Sequence, residues 1–163
     1  MEQTARRTEA EIIALQQQHV DAASRLLAEF KHESEWSEED RLRCADHLHK
    51  LLQCGCAFAL IALLDGKPAG LLTYSWAFST SKGRPIVRIQ DLFTAADARR
   101  RGVATALLRR CAEIARERGA HRLQLETDEG NDAARSVYEQ EGFHLIAGKI
   151  VYMQPLGEWG DCR

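Results

Sequence analysis

The sequence predicts an α/β fold in which a mixed, mostly antiparallel central sheet carries helices on both faces. Three observations predict it. Segments of helical period alternate with short apolar, strand-like runs along the whole chain. Asp65-Gly66, a tight-turn pair, separates two such runs and marks an antiparallel hairpin. A long helical segment then joins two further strand-like runs, and a helical crossover makes those two parallel.

Taken in order, Ile12 to Leu15 is a short apolar run read as a strand. His19 to Lys31 is a helix, because Val20, Ala23, Leu26, Leu27 and Phe30 recur at helical spacing. A second helix starts after Ser37, where an N-cap residue precedes an acid at the third position, Asp40. Leu42, Ala45, Leu48, Leu51 and Leu52 form its apolar stripe. The hairpin follows, Ala57 to Leu64 and Ala69 to Phe78, and a polar loop leads to a strand from Ile86 to Thr94. Along that strand the alternate positions Val87, Ile89, Asp91 and Phe93 are expected to share a face. A long helix then carries Val103, Leu107, Cys111, Ile114 and Ala115 on one side and stops at Gly119. His121 to Thr127 reads as a strand, Asn131 to Glu141 as a short helix, and Ile150 to Pro155 as a last strand, with a further short strand near Phe143. The expected order is β-α-α-β-β-β-α-β-α-β.

The bulk properties bound the function. With 163 residues, 45% of them hydrophobic, the chain reads as a single domain spanning 1–163. A net charge of −2 offers no global field for nucleic acid or an anionic membrane. The eight arginines between Arg99 and Arg122 are diluted by Glu113 and Glu117 and have no aromatic platform beside them. No apolar run approaches the roughly 20 residues of a spanning helix, and the first ten residues lack a signal-peptide core. The expectation is a cytoplasmic protein without nucleic-acid or membrane partners. The five cysteines, Cys44, Cys54, Cys56, Cys111 and Cys162, are odd in number and irregular in spacing, so they read as free thiols. His47 and His49 precede Cys54-Gly55-Cys56, but two residues apart on a helix they point to different sides, so no metal is assigned.

The chemistry concentrates in two stretches. In the first, a strand ends, the basic turn Arg99-Arg100-Arg101-Gly102 follows, and a helix opens with Val103-Ala104-Thr105. The free N–H groups and positive dipole end of a helix start suit phosphate. Gly102 and the small Ala104 allow a ligand near the backbone, and the three arginines add positive charge. The spacing fits neither a mononucleotide loop nor a dinucleotide fingerprint. The second stretch runs from Asn131 to Phe143.

The pair resembles the two signatures of the GNAT superfamily of N-acetyltransferases. Arg99-x-x-Gly102-x-Ala104 is similar to that family's pyrophosphate loop, and Asn131-x-x-Ala134-x-x-Val137-Tyr138-x-x-x-Gly142-Phe143 to its second motif. The resemblance is specific from about Ile86 to Phe143. It implies acetyl-CoA as co-substrate, bound through the N–H groups from Arg100 to Thr105, with pantetheine and thioester partners on the backbone of Leu92, Phe93 and Thr94. It also implies that Asn131 contacts the pantetheine arm, that Ala134 lies in the same motif, and that Tyr138 protonates the departing thiolate. By period alone, Asn131 is a helix N-cap and Tyr138 a core aromatic. Ile89-Gln90-Asp91-Leu92-Phe93-Thr94 is similar to the strand of diamine and polyamine acetyltransferases, which have Glu-Asp where this chain has Gln90-Asp91.

Two acids are candidate bases. An acid on an apolar strand face is costly unless paired or functional, which points to Asp91 as amine ligand or part of a water-mediated base. Its other reading is a bulge that turns it outward. Glu126 lies near the C-terminal end of the neighbouring strand, where open α/β sheets place ligands. Six acids between Glu29 and Asp40 (Glu29, Glu33, Glu35, Glu38, Glu39, Asp40) stand against one lysine. The resemblance places this region beside an acceptor groove, whereas a solvated helix start would also favour acids. The expected function is transfer of an acetyl group to a small cationic amine by direct attack in a ternary complex, in a homodimer. The alternatives are acetylation of a protein or peptide amine, or an acyl-CoA-binding module without turnover.

Overall fold

The computed structural model describes residues 9–32 and 35–157. Glu33 and Cys162 lie outside the described residues. The sheet has five strands in the order in which the chain makes them. β1 (Glu11–Ala14), β2 (Ala57–Leu64), β3 (Lys67–Ser79) and β4 (Arg84–Thr94) pair antiparallel in succession. β5 (Arg122–Gln124) joins β4 in parallel, as the crossover through α3 (Val103–Glu117) requires. The remaining helices are α1 (Val20–His32), α2 (Glu38–Cys54) and α4 (Asp132–Gln140). No helix among the described residues is long and apolar enough to cross a membrane.

Local chemistry sets the boundaries. Ser37 caps α2 through a reciprocal box: its hydroxyl accepts from the Asp40 N–H at 3.2 Å, and Asp40 Oδ2 accepts from the Ser37 N–H at 2.8 Å. At the other end the chain leaves through Gly55 at φ +70°. Apolar stripes then decide the packing. α3 buries Val103, Leu107, Leu108, Cys111 and Ala115, and α1 buries Val20, Ala23, Leu26, Leu27 and Ala28.

The two sheet faces have different tenants. Residues paired across strands share a face, and neighbours along a strand alternate. Gly70, Leu72 and Tyr74 face α3: a Cβ built on Gly70 would stand 2.6 Å from Val103 Cγ1 and 3.1 Å from Leu107 Cδ1. Leu71, Thr73 and Phe93 face α1, and the Phe30 and Phe93 rings meet at 5.3 Å. α1 and α2 pack on each other beside this second face.

One expectation about faces is overturned. Tyr74 pairs with Ile89, but Thr73 pairs with Asp91, so Gln90 is an extra residue in β4. This β-bulge reverses the alternation. Val87 and Ile89 lie on the α3 face, while Asp91 and Phe93 lie on the α1 face with Thr73 and Leu71.

Other differences concern the last third of the chain. β5 spans three residues rather than the expected His121 to Thr127. No strand forms near Phe143 or over Ile150 to Pro155 among the described residues. Ile150, Val151, Tyr152 and Met153 are exposed there, as are Leu145, Ile146 and Leu156. A short apolar run becomes a strand only where an edge accepts it, and β5 presents three residues of edge.

Candidate active site

β4 is the spine of the site. It pairs with β5 only at Ile86, Val87 and Arg88, opposite Arg122, Leu123 and Gln124. From Ile89 to Thr94 that edge of β4 has no strand partner among the described residues. The bulge at Gln90 falls where the pairing ends, and a bulge bends and over-twists its strand. The two strands therefore part, leaving the backbone groups of Leu92 and Thr94, which point away from β3, available to an extended ligand, while those of Phe93 between them face β3. Phe93 is buried, Leu92 and Thr94 half-buried.

The chain continues from this edge through a 3-10 turn, Ala96–Ala98, into the basic loop. Arg100 adopts φ +61° and Gly102 φ +80°. Gly102 is the N-cap of α3, and no side chain among the described residues caps that helix start. The first-turn N–H groups of Val103, Ala104 and Thr105 thus point outward with the positive end of the dipole. A Cβ at Gly102 would meet nothing within 4 Å, so the glycine is dictated by its left-handed backbone, while the space above it is open to a ligand. Arg99 and Arg100 are exposed, and Arg101 reaches the hairpin turn, 3.8 Å from Asp65. A pyrophosphate fits this loop: unclaimed N–H groups and open space meet there, and the exposed Arg99 and Arg100 stand on the loop itself, while Arg101 is drawn toward Asp65.

α4 carries the second motif. Asn131 is its N-cap, with Oδ1 accepting from the Ala134 N–H at 3.3 Å and Nδ2 directed at the Thr127 hydroxyl at 3.5 Å. Its capping role is thus real, and its amide faces the segment that follows β5. Arg109 of α3 pins the C-terminal end of α4 by a two-pronged pair with Glu141 at 2.9 and 3.0 Å. Tyr138 is half-buried, with its ring 5.8 Å from that of Phe143. Its hydroxyl makes no hydrogen bond among the described residues. Burial pushes its pKa above the ordinary tyrosine value, so the proton is held through the neutral range.

The acids separate into engaged and available groups. Asp91 is half-buried; its Oδ2 accepts from the Thr73 hydroxyl across the strand pair, and Oδ1 has no partner among the described residues. The bulge does turn it from the α3 face, but toward α1 and α2 rather than out of the fold. Glu126 is exposed, lies beyond the end of β5, and accepts from Arg88 Nη2 at 2.7 Å. Near α2, Glu38 is bound by Arg41, which holds its carboxyl below the usual range. Glu39 and Asp40 pair with Arg43, and Asp40 closes the capping box. These three serve the helix start. Glu29 behaves otherwise: it accepts from the Ala96 N–H at 3.2 Å and, with Asp21, Arg25, Trp36 and Pro68, lines a groove of about 310 Å³.

Three residues escaped the sequence reading. Thr73 and Arg88 hold Asp91 and Glu126, and Gly70 lets α3 approach β3. The adjacent polar pair Gln90-Asp91 inside an apolar strand was the one signal of a bulge, since strict alternation forbids it.

Comparison with known proteins adds the following. The family described as the acetyltransferase (GNAT) family matches residues 14–143. A thialysine N-epsilon-acetyltransferase of Caenorhabditis elegans is 27% identical over 129 residues, covering 79% of each chain. An uncharacterised N-acetyltransferase of Bacillus subtilis, YhfO, is 34% identical over 93 residues, covering 57% of this chain and 62% of its own. A solved probable acetyltransferase superposes with a TM-score of 0.78 at 24% identity, covering 91% of this chain and 99% of that one, which is a likeness of fold.

Proposed function

Because the chain belongs to the GNAT family of acetyltransferases, and is thereby an acetyl-CoA-dependent N-acetyltransferase, we propose that its acceptor is a small cationic amine, acetylated by direct attack within a ternary complex. The observation that carries this reading is the half-buried Asp91, with one carboxylate oxygen unpartnered among the described residues, on the sheet face beneath α1 and α2. A thialysine acetyltransferase among the relatives, an enzyme named for a lysine-like amine, agrees with it.

Acetyl-CoA supplies the activated acetyl thioester. The chain's own residues do the rest. The α3 N-terminus and Arg99 to Thr105 hold the pyrophosphate, and the open β4 edge at Leu92 and Thr94 hydrogen-bonds the extended arm. The outward N–H groups of Leu92 and Thr94, on either side of Phe93, are the donors for the thioester carbonyl, where negative charge grows. Asn131 and Ala134 seat the arm from the α4 side. Asp91, with Oδ2 fixed by Thr73, attracts the ammonium group and accepts its proton on Oδ1 through water. Glu126 keeps Arg88 from neutralising Asp91, since Arg88 and Asp91 share a face. Tyr138, protonated at neutral pH, returns a proton to the leaving sulfur. No acyl-enzyme is needed.

Glu29, in the groove beside Trp36, gives a polycation a second anchoring point, whereas Asp21 there is already held by Arg25 and Arg41. The exposed apolar residues from Leu145 to Leu156 support a homodimer in which a second copy covers them. Release of CoA thiol, measured over a panel of diamines, monoamines, lysine-like amines and peptides, tests the acceptor class. Turnover confined to peptides would overturn it.

A further inference from the structure

At the junction of α2 and β2, Cys54 and Cys56 flank Gly55, whose φ of +70° folds the chain back on itself. Their sulfurs lie 3.7 Å apart, and both residues are exposed. We propose that this pair is a reversible dithiol–disulfide site, oxidised by exchange with low-molecular-weight disulfides such as oxidised glutathione.

The surroundings give the two sulfurs different tasks. Cys54 Sγ accepts from the Ala57 N–H at 3.3 Å and from the Cys56 thiol. Backbone N–H groups, that of Cys56 foremost, draw its pKa below the ordinary thiol value. Cys56 is driven the other way by its hydrogen bond to Cys54. Cys54 is therefore the sulfur that attacks first, and Cys56 the one that resolves. A disulfide bond is about 2.0 Å long, so the sulfurs need to close a gap of about 3.7 − 2.0 = 1.7 Å, within reach of side-chain rotation about an intervening glycine.

The steps balance. The Cys54 thiolate attacks one sulfur of the glutathione disulfide; a Cys54–glutathione bond forms, the glutathione disulfide breaks, and one glutathione thiolate leaves and takes a proton from solvent. Cys56 loses its thiol proton to solvent and attacks Cys54 Sγ; the intramolecular disulfide forms and the second glutathione leaves as its thiolate. Two protein thiols are oxidised and one glutathione disulfide is reduced to two thiols. Cys44 and Cys111 do not compete: both are buried, and burial raises their pKa, that of Cys111 to about 12.

The experiment uses the full chain and oxidised glutathione, followed by digestion with trypsin without reductant. Because Lys67 precedes Pro68 and resists cleavage, the peptide from Leu51 to Lys82 carries Cys54 and Cys56 and no other cysteine. In the wild type this peptide is expected two hydrogens lighter and free of glutathione, with dithiothreitol restoring its mass. In Cys56→Ser it is expected to hold one glutathione on Cys54. In Cys54→Ser, labelling of Cys56 is expected to be roughly tenfold slower. A wild-type peptide that keeps glutathione, stays unreacted, or is linked to a second chain would overturn the proposal.

Discussion

Replacing Gly70 with alanine adds one methyl group where β3 and α3 touch. The new carbon would lie 2.6 Å from Val103 Cγ1, 2.9 Å from the Phe93 carbonyl oxygen and 3.1 Å from Leu107 Cδ1. Carbon atoms rest about 3.5–4.0 Å apart, so α3 must retreat by about 1 Å at Val103, its first residue. The Phe93 carbonyl belongs to the β3–β4 ladder and has little freedom to yield. Overpacking of this kind costs about 1–3 kcal/mol, which for a chain of this length lowers Tm by roughly 2–12 °C. The same retreat moves the α3 N-terminus, and an ångström of misplacement costs up to about a hundredfold in a positioned site. Circular dichroism melts and calorimetry with acetyl-CoA check both parts. An unchanged Tm would refute the packing argument. A lowered Tm with unimpaired acetyl-CoA affinity would refute the link from α3 seating to the phosphate loop.

Further outcomes follow from the site. Gly102→Val forces a β-branched residue into φ +80° and fills the space above the loop; acetyl-CoA affinity should fall, and calorimetry showing none would remove the loop from the site. Tyr138→Phe keeps the ring contact with Phe143 and loses the hydroxyl, so kcat should drop on the order of 10²–10⁴-fold with acetyl-CoA affinity intact. Burial raises the Tyr138 pKa, so in the wild type the acid stays protonated as pH climbs and the alkaline fall of kcat should begin above the ordinary tyrosine value of about 10; a limb below that value would assign the proton to another group. Asp91→Asn should raise KM for a diamine more than for a neutral-tailed monoamine, and steady-state kinetics with equal effects on both would deny Asp91 an electrostatic role.

What the sequence disclosed was what short-range chemistry decides. Ser37 and Asp40 cap α2 within a few residues, Asp65-Gly66 turns the hairpin, and Gly102 opens α3; each was readable from its neighbours. The direction of Asp91 was not, because it depends on which β3 residue stands opposite, and Gln90 shifts that register. Arg88 and Glu126 are 38 residues apart and meet only because β5 lies parallel to β4. The acids before α2 looked like one cluster, yet Arg41 and Arg43 claim three of them and leave Glu29 in the groove. The run from Ile150 to Pro155 has a strand's pattern without a strand's partner, and composition cannot distinguish the two.

The parting of β4 from β5 also sets how the protein's stability depends on supply. A ligand that completes the β4 edge binds the folded chain and has nothing comparable to bind in the unfolded one. At acetyl-CoA a hundredfold above its Kd, mass action adds about 2.7 kcal/mol to folding, equivalent to a rise in Tm of roughly 5–11 °C for a chain of this size. The open edge thus makes the enzyme a thermal reporter of its own substrate: where acetyl-CoA is scarce, more of the chain unfolds and is exposed to proteolysis, and where it is plentiful the same molecule persists.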